Sequence, residues 1–274
     1  MKNWFITGAS RGFGALIAER ALAKGDAVVA TARSAQAITD RFASHPNLLA
    51  VSLDVTNEDQ AAAAAAAATE RFGRIDILLN NAGFGLMGAV EEATAAEIEA
   101  VYRTNVFGLL NVTRAVLPHM REARSGRILN ISSIGGYRGA AGFGVYSSTK
   151  FAVEGLSEAL HAELAPLGIH VTVIEPGYFR TDFLDASSLS TSPARIADYD
   201  GTAGRVRRAA LELNHSQPGD PSKLADVLVA FVDTASPPVR LPLGSDTVAA
   251  IEAKHAADAR ILAEWRSVSV STDF

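Results

Sequence analysis

The sequence predicts a single α/β domain, and three observations carry that expectation. Short apolar runs of strand type alternate with helical patterns from Trp4 to about Leu243, the first run empties into a glycine-rich turn that opens a helix, and no Pro/Ser-rich linker or charge run divides the chain into two cores. At 274 residues, 48% hydrophobic and 20% charged, the composition suits one large domain.

Trp4-Phe5-Ile6 reads as the first strand and runs into Thr7-Gly8-Ala9-Ser10-Arg11-Gly12-Phe13-Gly14, before a helical pattern from Ala15 to Lys24. Gly8, Gly12 and Gly14 let such a loop turn tightly and approach a pyrophosphate, which the free N–H groups of the helix then meet. Ser10, Arg11 and Phe13 belong to the same candidate loop. Gly25 ends the helix, and Ala27 to Thr31 is the second strand, followed by Ala32-Arg33-Ser34. A dinucleotide site commonly places Asp or Glu here for the adenosine ribose, whereas a 2′-phosphate is met by arginine. Ala32 then Arg33, with Arg11 as a second cation, points to NADP(H). The bland alternative is that both arginines are solvated surface residues.

Leu48 to Leu53 is a third strand, and Asp54-Val55 at its end offers a carboxylate and an apolar contact to an adenine ring, although Asp54 equally suits a helix cap. Ala61 to Ala68, closed by Arg71-Phe72-Gly73, is a plain helix. Ile75 to Leu79 is a fourth strand closing on Asn80-Asn81-Ala82-Gly83. Asn81, Ala82 and Gly83 permit close backbone approach, and structural and cofactor roles stand equally open there. Thr94-Ala95-Ala96-Glu97 is a capping box that opens a long helix toward Pro118, with Asn105 in its middle, where an asparagine usually points at solvent.

A fifth strand, Arg127 to Ser132, delivers Ser133 into Gly135-Gly136. The apolar spacing Phe151, Val153, Leu156, Leu160, Leu164 predicts a helix ending at Pro166 and Gly168, with Tyr146 and Lys150 on one face of its first turns. A fixed ammonium beside a phenol favours the phenolate and lowers its pKa, which would make Tyr146 a proton donor and acceptor. Tyr-x-x-x-Lys alone is a weak signal. Ser133 at a strand's C-terminal end strengthens it. Ile169 to Ile174 is the sixth strand and runs into Glu175-Pro176-Gly177. Asp220-Pro221 starts another helix, Val239 to Leu243 is the last strand, and Asp246 to Trp265 the last helix.

With no cysteine, disulfides, iron–sulfur clusters and thiolate zinc sites are excluded, and the six histidines show no paired ligand spacing, so no metal is expected. The first strand leaves no room for a signal peptide, and no apolar run approaches the ~20 residues of a membrane span, so a cytoplasmic location without membrane attachment is expected. A net charge of −5 argues against a nucleic-acid partner.

Taken together, Thr7-Gly-x-x-x-Gly-x-Gly14, Asn80-Asn-Ala-Gly83, Ser133, Tyr146-x-x-x-Lys150 and Pro176-Gly177 resemble the short-chain dehydrogenase/reductase family over nearly the whole chain, from Thr7 to about Leu243. The resemblance implies a Rossmann fold with a doubly wound, seven-stranded parallel sheet, and a homodimer or homotetramer. It implies Tyr146 as general acid/base, Ser133 holding the substrate oxygen, and Lys150 depressing the tyrosine pKa while binding the nicotinamide ribose. Asn105 would anchor a water leading protons outward, and Thr181, after Pro176 and Gly177, would meet the carboxamide. Segments around Thr181-Asp182-Phe183, Gly219-Asp220-Pro221 and Leu241-Pro242-Leu243-Gly244 also loosely resemble the hydroxysteroid- and retinol-dehydrogenase-like branch. No catalytic member is missing, which speaks against a nucleotide-sensing regulator that has kept only the fold.

Phe84, Leu86, Ile134, Tyr137, Phe143, Val145, Tyr178, Phe179, Phe183 and Leu184 flank these motifs, so the expected substrate is a small hydrophobic ketone, aldehyde or alcohol. Residues 182–219 have weak periodicity and exceed the ~12–15 residues of an ordinary connection, which predicts a mobile substrate lid. A surface excursion used only in packing is the alternative.

Overall fold

Every strand of the main sheet runs the same way, because each is separated from its partner by a crossover and none by a hairpin. The computed structural model describes residues 1–42 and 44–274. In chain order these form β1 (Asn3–Thr7), α1 (Gly12–Ala23), β2 (Ala27–Ala32), α2 (Gln36–Thr39), β3 (Leu48–Ser52), α3 (Glu58–Phe72), β4 (Ile77–Asn80), β5 (Gly85–Met87), α4 (Ala95–Tyr102), α5 (Leu109–Ala123) and β6 (Gly126–Ile131). There follow α6 (Gly144–Leu164), β7 (Ile169–Pro176), β8 (Leu189–Thr191), α7 (Arg205–Leu213), α8 (Pro221–Phe231), β9 (Arg240–Leu243) and α9 (Ser245–Val270). The sheet has seven strands in the order β3-β2-β1-β4-β6-β7-β9, a doubly wound Rossmann arrangement, and β5 pairs with β8 in a separate two-stranded ribbon.

Alternation along the strands sorts the core into two layers. Trp4, Ile6, Val28 and Ala30 pack under α1 and α8, through Ile17, Ala18, Leu224 and Leu228. Phe5, Val29, Leu78 and Ile128 pack on the other face against α3 and α5, through Ala61, Ala64, Ala65, Ala68, Val112 and Val116. The alanine run is thus a helix whose small face lets it approach the sheet closely. Asn57 caps it by accepting from Gln60 N, and Gly73 ends it at φ 81°. Asp220 caps α8 ahead of Pro221, as the sequence predicts.

The long helix expected after Thr94 is instead two helices joined by a π-helical stretch at Arg103–Gly108, and it passes Pro118 without stopping. Leu109, Val112, Val116 and Met120 bury one stripe of α5, and that burial carries the helix past the one hydrogen bond proline cannot make. Residues 182–219 hold β8, a second π-helical stretch at Asp200–Gly204, and α7. The α7 helix is fixed from below: Arg207 pairs with the buried Glu92 at 2.6 Å, and Glu92 also accepts from Ala89 N and Ile196 N.

Candidate active site

The strand order reverses between β1 and β4, and a cleft of about 710 Å³ opens there beyond the C-terminal ends of the strands. Its floor is the glycine loop, locked to the turn after β4. Thr7 Oγ1 accepts from both Asn81 N and Ala82 N at 2.9 Å, while Asn81 Nδ2 donates to Thr7 O at 2.9 Å and Gly8 O at 3.1 Å. Asn80 serves structure alone, donating to Thr113 and Asn130 in the core. Gly8 adopts φ +65°, and an added Cβ would stand 3.1 Å from Ala82 Cα. Gly14 does not reach the cleft; a Cβ there would be 2.5 Å from Gly8 O, so its part is close packing beneath the loop.

A dinucleotide fits this floor. The N-terminus of α1 opens beside it with no side-chain cap and no acidic residue in its first turn, which leaves its N–H groups and dipole to an anion. Ser10, Gly12 and Phe13 line the same end, as do Ala32 and Arg33. Among the described residues Arg33 has no ion-pair partner. Arg11 is placed differently from expectation: it lines the cleft but donates to Ser187 O at 2.5 Å, tying the loop to the 182–219 segment. Asp54 and Val55 line the adjoining wall. Asp54 does not cap α3, because Asn57 does; its carboxylate accepts from Thr56 N and Thr56 Oγ1.

At the other end stand Ser133, Tyr146 and Lys150. Ser133 leaves β6 in extended conformation and its Oγ accepts from Gly135 N at 3.0 Å. Gly135 lies between Ser133 and Tyr146: a Cβ there would stand 3.5 Å from both Ser133 Oγ and Tyr146 Cε1, so hydroxyl and phenol ring face the same small volume. Tyr146 is wedged between Phe143 and Phe183, with ring centroids 6.2 and 5.6 Å away. Lys150 Nζ sits 5.8 Å from the Tyr146 ring centroid and donates to Ile131 O at 2.8 Å.

This geometry reverses the expected electrostatics. Burial pushes the Tyr146 phenol above its ordinary value, and the hydrogen bond from Ser133 offsets only part of that. Burial likewise lowers Lys150, to about 8, against the opposing charge of Glu154. The phenol is therefore held protonated, because desolvation outweighs the hydrogen bond with Ser133.

Asn105 does not face solvent. It is buried in the π-helical stretch, where its side chain accepts from Phe84 N at 3.0 Å and donates to Phe84 O at 2.9 Å and Thr149 Oγ1 at 3.2 Å. A Cβ on Gly83 would meet Asn105 Oδ1 at 3.1 Å and Lys150 Nζ at 3.8 Å, so Asn105 fixes the cleft wall next to the lysine. Pro176, Gly177 and Thr181 line the cleft, with Gly177 N donating to Leu243 O at 3.0 Å. Of the expected apolar lining, Phe84, Ile134, Phe143, Tyr178, Phe179, Phe183 and Leu184 are there. Leu86 and Val145 are instead buried against Val101, and Tyr137 turns away to lie under Arg240. Arg138 and Gln217, which the sequence reading missed, also line it, and neither lies in a motif that would have flagged it. No cluster of metal-ligating side chains occurs among the described residues, and no helix among them is long and apolar enough to cross a membrane.

The short chain dehydrogenase family profile matches residues 2–191. Oxidoreductase BOA17 of Botryotinia fuckeliana is 39% identical over 278 residues, covering 99% of each chain. A 3-ketodihydrosphingosine reductase of Bacteroides thetaiotaomicron is 39% identical over 239 residues, 87% of this chain and 86% of the relative. A short-chain dehydrogenase from Streptomyces avermitilis superposes over 100% of both chains with a TM-score of 0.92 and 43% identity. Structures with a nucleotide bound are similar too. A short-chain dehydrogenase/reductase from Burkholderia phymatum in complex with NAD matches with a TM-score of 0.81 and 25% identity over 93% of each chain. ElxO with NADP bound matches with a TM-score of 0.75 and 26% identity over 90% of this chain and 99% of that one.

Proposed function

The chain belongs to the short-chain dehydrogenase/reductase family and is an oxidoreductase of that type, and from this premise we propose that it moves a hydride between NADP(H) and a hydrophobic ketone or aldehyde, or the corresponding secondary alcohol. The observation that carries the reading is the convergence of Ser133, Tyr146 and Lys150 on one end of a cleft whose other end presents Ala32 and Arg33. Bound there, NADPH supplies the hydride. Ser133 holds the carbonyl oxygen, and Tyr146, kept protonated by burial, gives that oxygen its proton. Lys150 holds the ribose and keeps positive charge beside the phenol. Thr181 takes the carboxamide, and Gly8, Gly12 and the α1 N-terminus take the pyrophosphate.

The lining of Phe84, Phe143, Tyr178, Phe179 and Phe183 supports a substrate chosen by apolar burial. A keto substrate in the name of the Bacteroides relative agrees with a site built around a carbonyl oxygen. Residues 182–219 act as the substrate cover, which their share of the cleft wall and the Arg11–Ser187 contact support. The assembly in this reading is a homodimer or homotetramer, and exposed Phe107 and Phe151 supply apolar surface for it.

Relatives with NAD and with NADP are both known, so the nucleotide preference rests on Ala32 and Arg33. A charge-assisted contact to a 2′-phosphate contributes roughly 1.5–3 kcal/mol, so NADPH should exceed NADH in kcat/KM by at least about tenfold. The test is consumption of each cofactor over a panel of ketones, aldehydes, quinones and sterols, repeated with Ala32→Asp/Arg33→Ser, which should invert the order. Equal efficiency with both cofactors in the unaltered enzyme would overturn the preference, and no turnover of any carbonyl by a protein that binds NADPH would overturn the activity.

A further inference from the structure

Tyr146 and Lys150 are the first two members of a longer row. Glu154 and Glu158 continue it at the same helical spacing along α6, one buried and one exposed, so a single helix face carries phenol, ammonium and two carboxylates from the cleft to the surface. Glu154 is 4% exposed, and Glu175, at the end of β7, is 1% exposed. Both lean on one guanidinium: Arg240 Nε lies 3.0 Å from Glu154 Oε2 and 3.3 Å from Glu175 Oε1, while its Nη1 reaches Glu158 at 3.0 Å.

The Arg240 Nε–H is directed at Glu154 Oε2, so Glu175 Oε1 has only a charge contact with it, and neither Glu175 Oε1 nor Glu154 Oε1 accepts a hydrogen bond. The two carboxyl groups are neighbours, since one oxygen of each lies within 3.3 Å of the same Arg240 Nε. Two carboxylates cannot satisfy one another, because each can only accept; a carboxylic acid and a carboxylate can. Charge leads to the same state. With one proton on the pair, Lys150 and Arg240 face two negative charges, one on the pair and one on Glu158, and the cluster is neutral. With none, an extra negative charge is buried.

We propose that Glu154 and Glu175 share one proton behind the active site and together form the counter-charge that keeps Lys150 an ammonium, which makes both of them positioning residues for the reacting pair. Glu175 is the better seat for the proton, since burial and then the neighbouring Glu154 push its carboxyl up to about 7. The pair also buttresses the turn that carries Ser133. A Cβ on Gly136 would collide with Ser132 Oγ and lie 3.0 Å from Glu154 Oε1, so the glycine lets that turn pack closely against Ser132 and Glu154. Other titratable and charged groups facing the cluster are Tyr137, whose ring lies 5.5 Å from the Arg240 guanidinium, and His255 of α9, hydrogen-bonded to the Tyr137 hydroxyl. Asp246 accepts from Tyr178 N just past the end of β7.

The link to catalysis rests on the role given above to Lys150, so the test has readouts that do not need turnover. In infrared difference spectra across pH, the wild type should show a protonated-carboxyl band that titrates near neutrality and is absent in Glu175→Gln. No such band, or the same band in Glu175→Gln, overturns the shared proton. Lys150 is then titrated by NMR of lysine-labelled protein, assigned with Lys150→Arg. Glu154→Gln should lower its midpoint by about one pH unit or more, whereas Glu154→Asp, which keeps the charge, should leave it near the wild-type value; Glu175→Gln, which removes the charge Glu175 carries above neutrality, should lower it by less than Glu154→Gln does. Equal midpoints in Glu154→Gln and wild type overturn the counter-charge. The alkaline limb of kcat should move with the midpoint. A limb that stays put while the midpoint moves would count against Lys150 as the reacting group and leave the pair standing.

Discussion

In the proposed reaction Tyr146 is the residue that separates a working site from a mere binding cleft. Tyr146→Phe keeps the ring between Phe143 and Phe183 but removes the proton, so turnover should fall to a negligible level while NADPH affinity, measured by fluorescence titration, changes less than about twofold. Lys150→Ala should damage both. Because burial keeps the phenol protonated, the group that titrates just above neutrality is Lys150: reductive kcat should hold through pH 7 and decline as the lysine loses its proton near 8. At this scale the sequence was informative where spacing is rigid. A tyrosine and lysine one turn apart had to share a face, and Ser133 had to leave a strand end. It was silent on desolvation, which comes from the phenol packing between Phe143, one turn back at the start of its own helix, and Phe183 from the 182–219 segment, and so the direction of the tyrosine shift was misjudged. Glu154 lay in plain view one turn beyond Lys150, but its partners Glu175 and Arg240 come from β7 and β9 and no local pattern joins them.

Elements were legible where their periodicity and caps agreed, as in α1, α3, α8 and every strand of the main sheet. The π-helical stretch around Asn105 was not. It exists because Asn105 turns inward to clamp the Phe84 backbone and because Gly108 leaves room for Val55, whose Cγ2 would lie 2.6 Å from a Cβ there. Neither contact leaves a trace in local spacing. The same holds for β5 and β8, three residues each, which are strands only by virtue of each other. In α7 the decisive contact is Arg207 with Glu92. Arg207→Ala strands a carboxylate whose side chain is fully buried, and should lower stability by about 3–5 kcal/mol, read as a fall in the denaturant midpoint. Replacing Arg207 and Glu92 together by Met and Gln should cost much less. If the segment is the substrate cover, a variant that stays folded should raise KM several-fold with little change in NADPH affinity.

The whole molecule shows its pH dependence through buried charge. Glu175 is raised from 4.5 to about 7 in the folded state, so its contribution to stability is complete below about 4.5 and is lost as pH rises through 7. Glu175→Gln removes that slope, and its unfolding free energy should gain on the wild type between pH 5 and 8 by up to about 3 kcal/mol, measured by denaturant titration at each pH. Beyond His255 the last helix is a separate case: Ile261, Leu262, Trp265 and Val268 are all more than half exposed. The order of the sheet also has a consequence in time. With β1 paired to β4 through Trp4 and Ile77, and β7 completed by β9 only at Arg240–Leu243, no strand of the main sheet can pair with a hairpin neighbour as it is made. During synthesis β7 therefore waits with one edge of unpaired N–H and C=O groups until Arg240–Leu243 have emerged, and in that interval the edge is open to pairing with another chain.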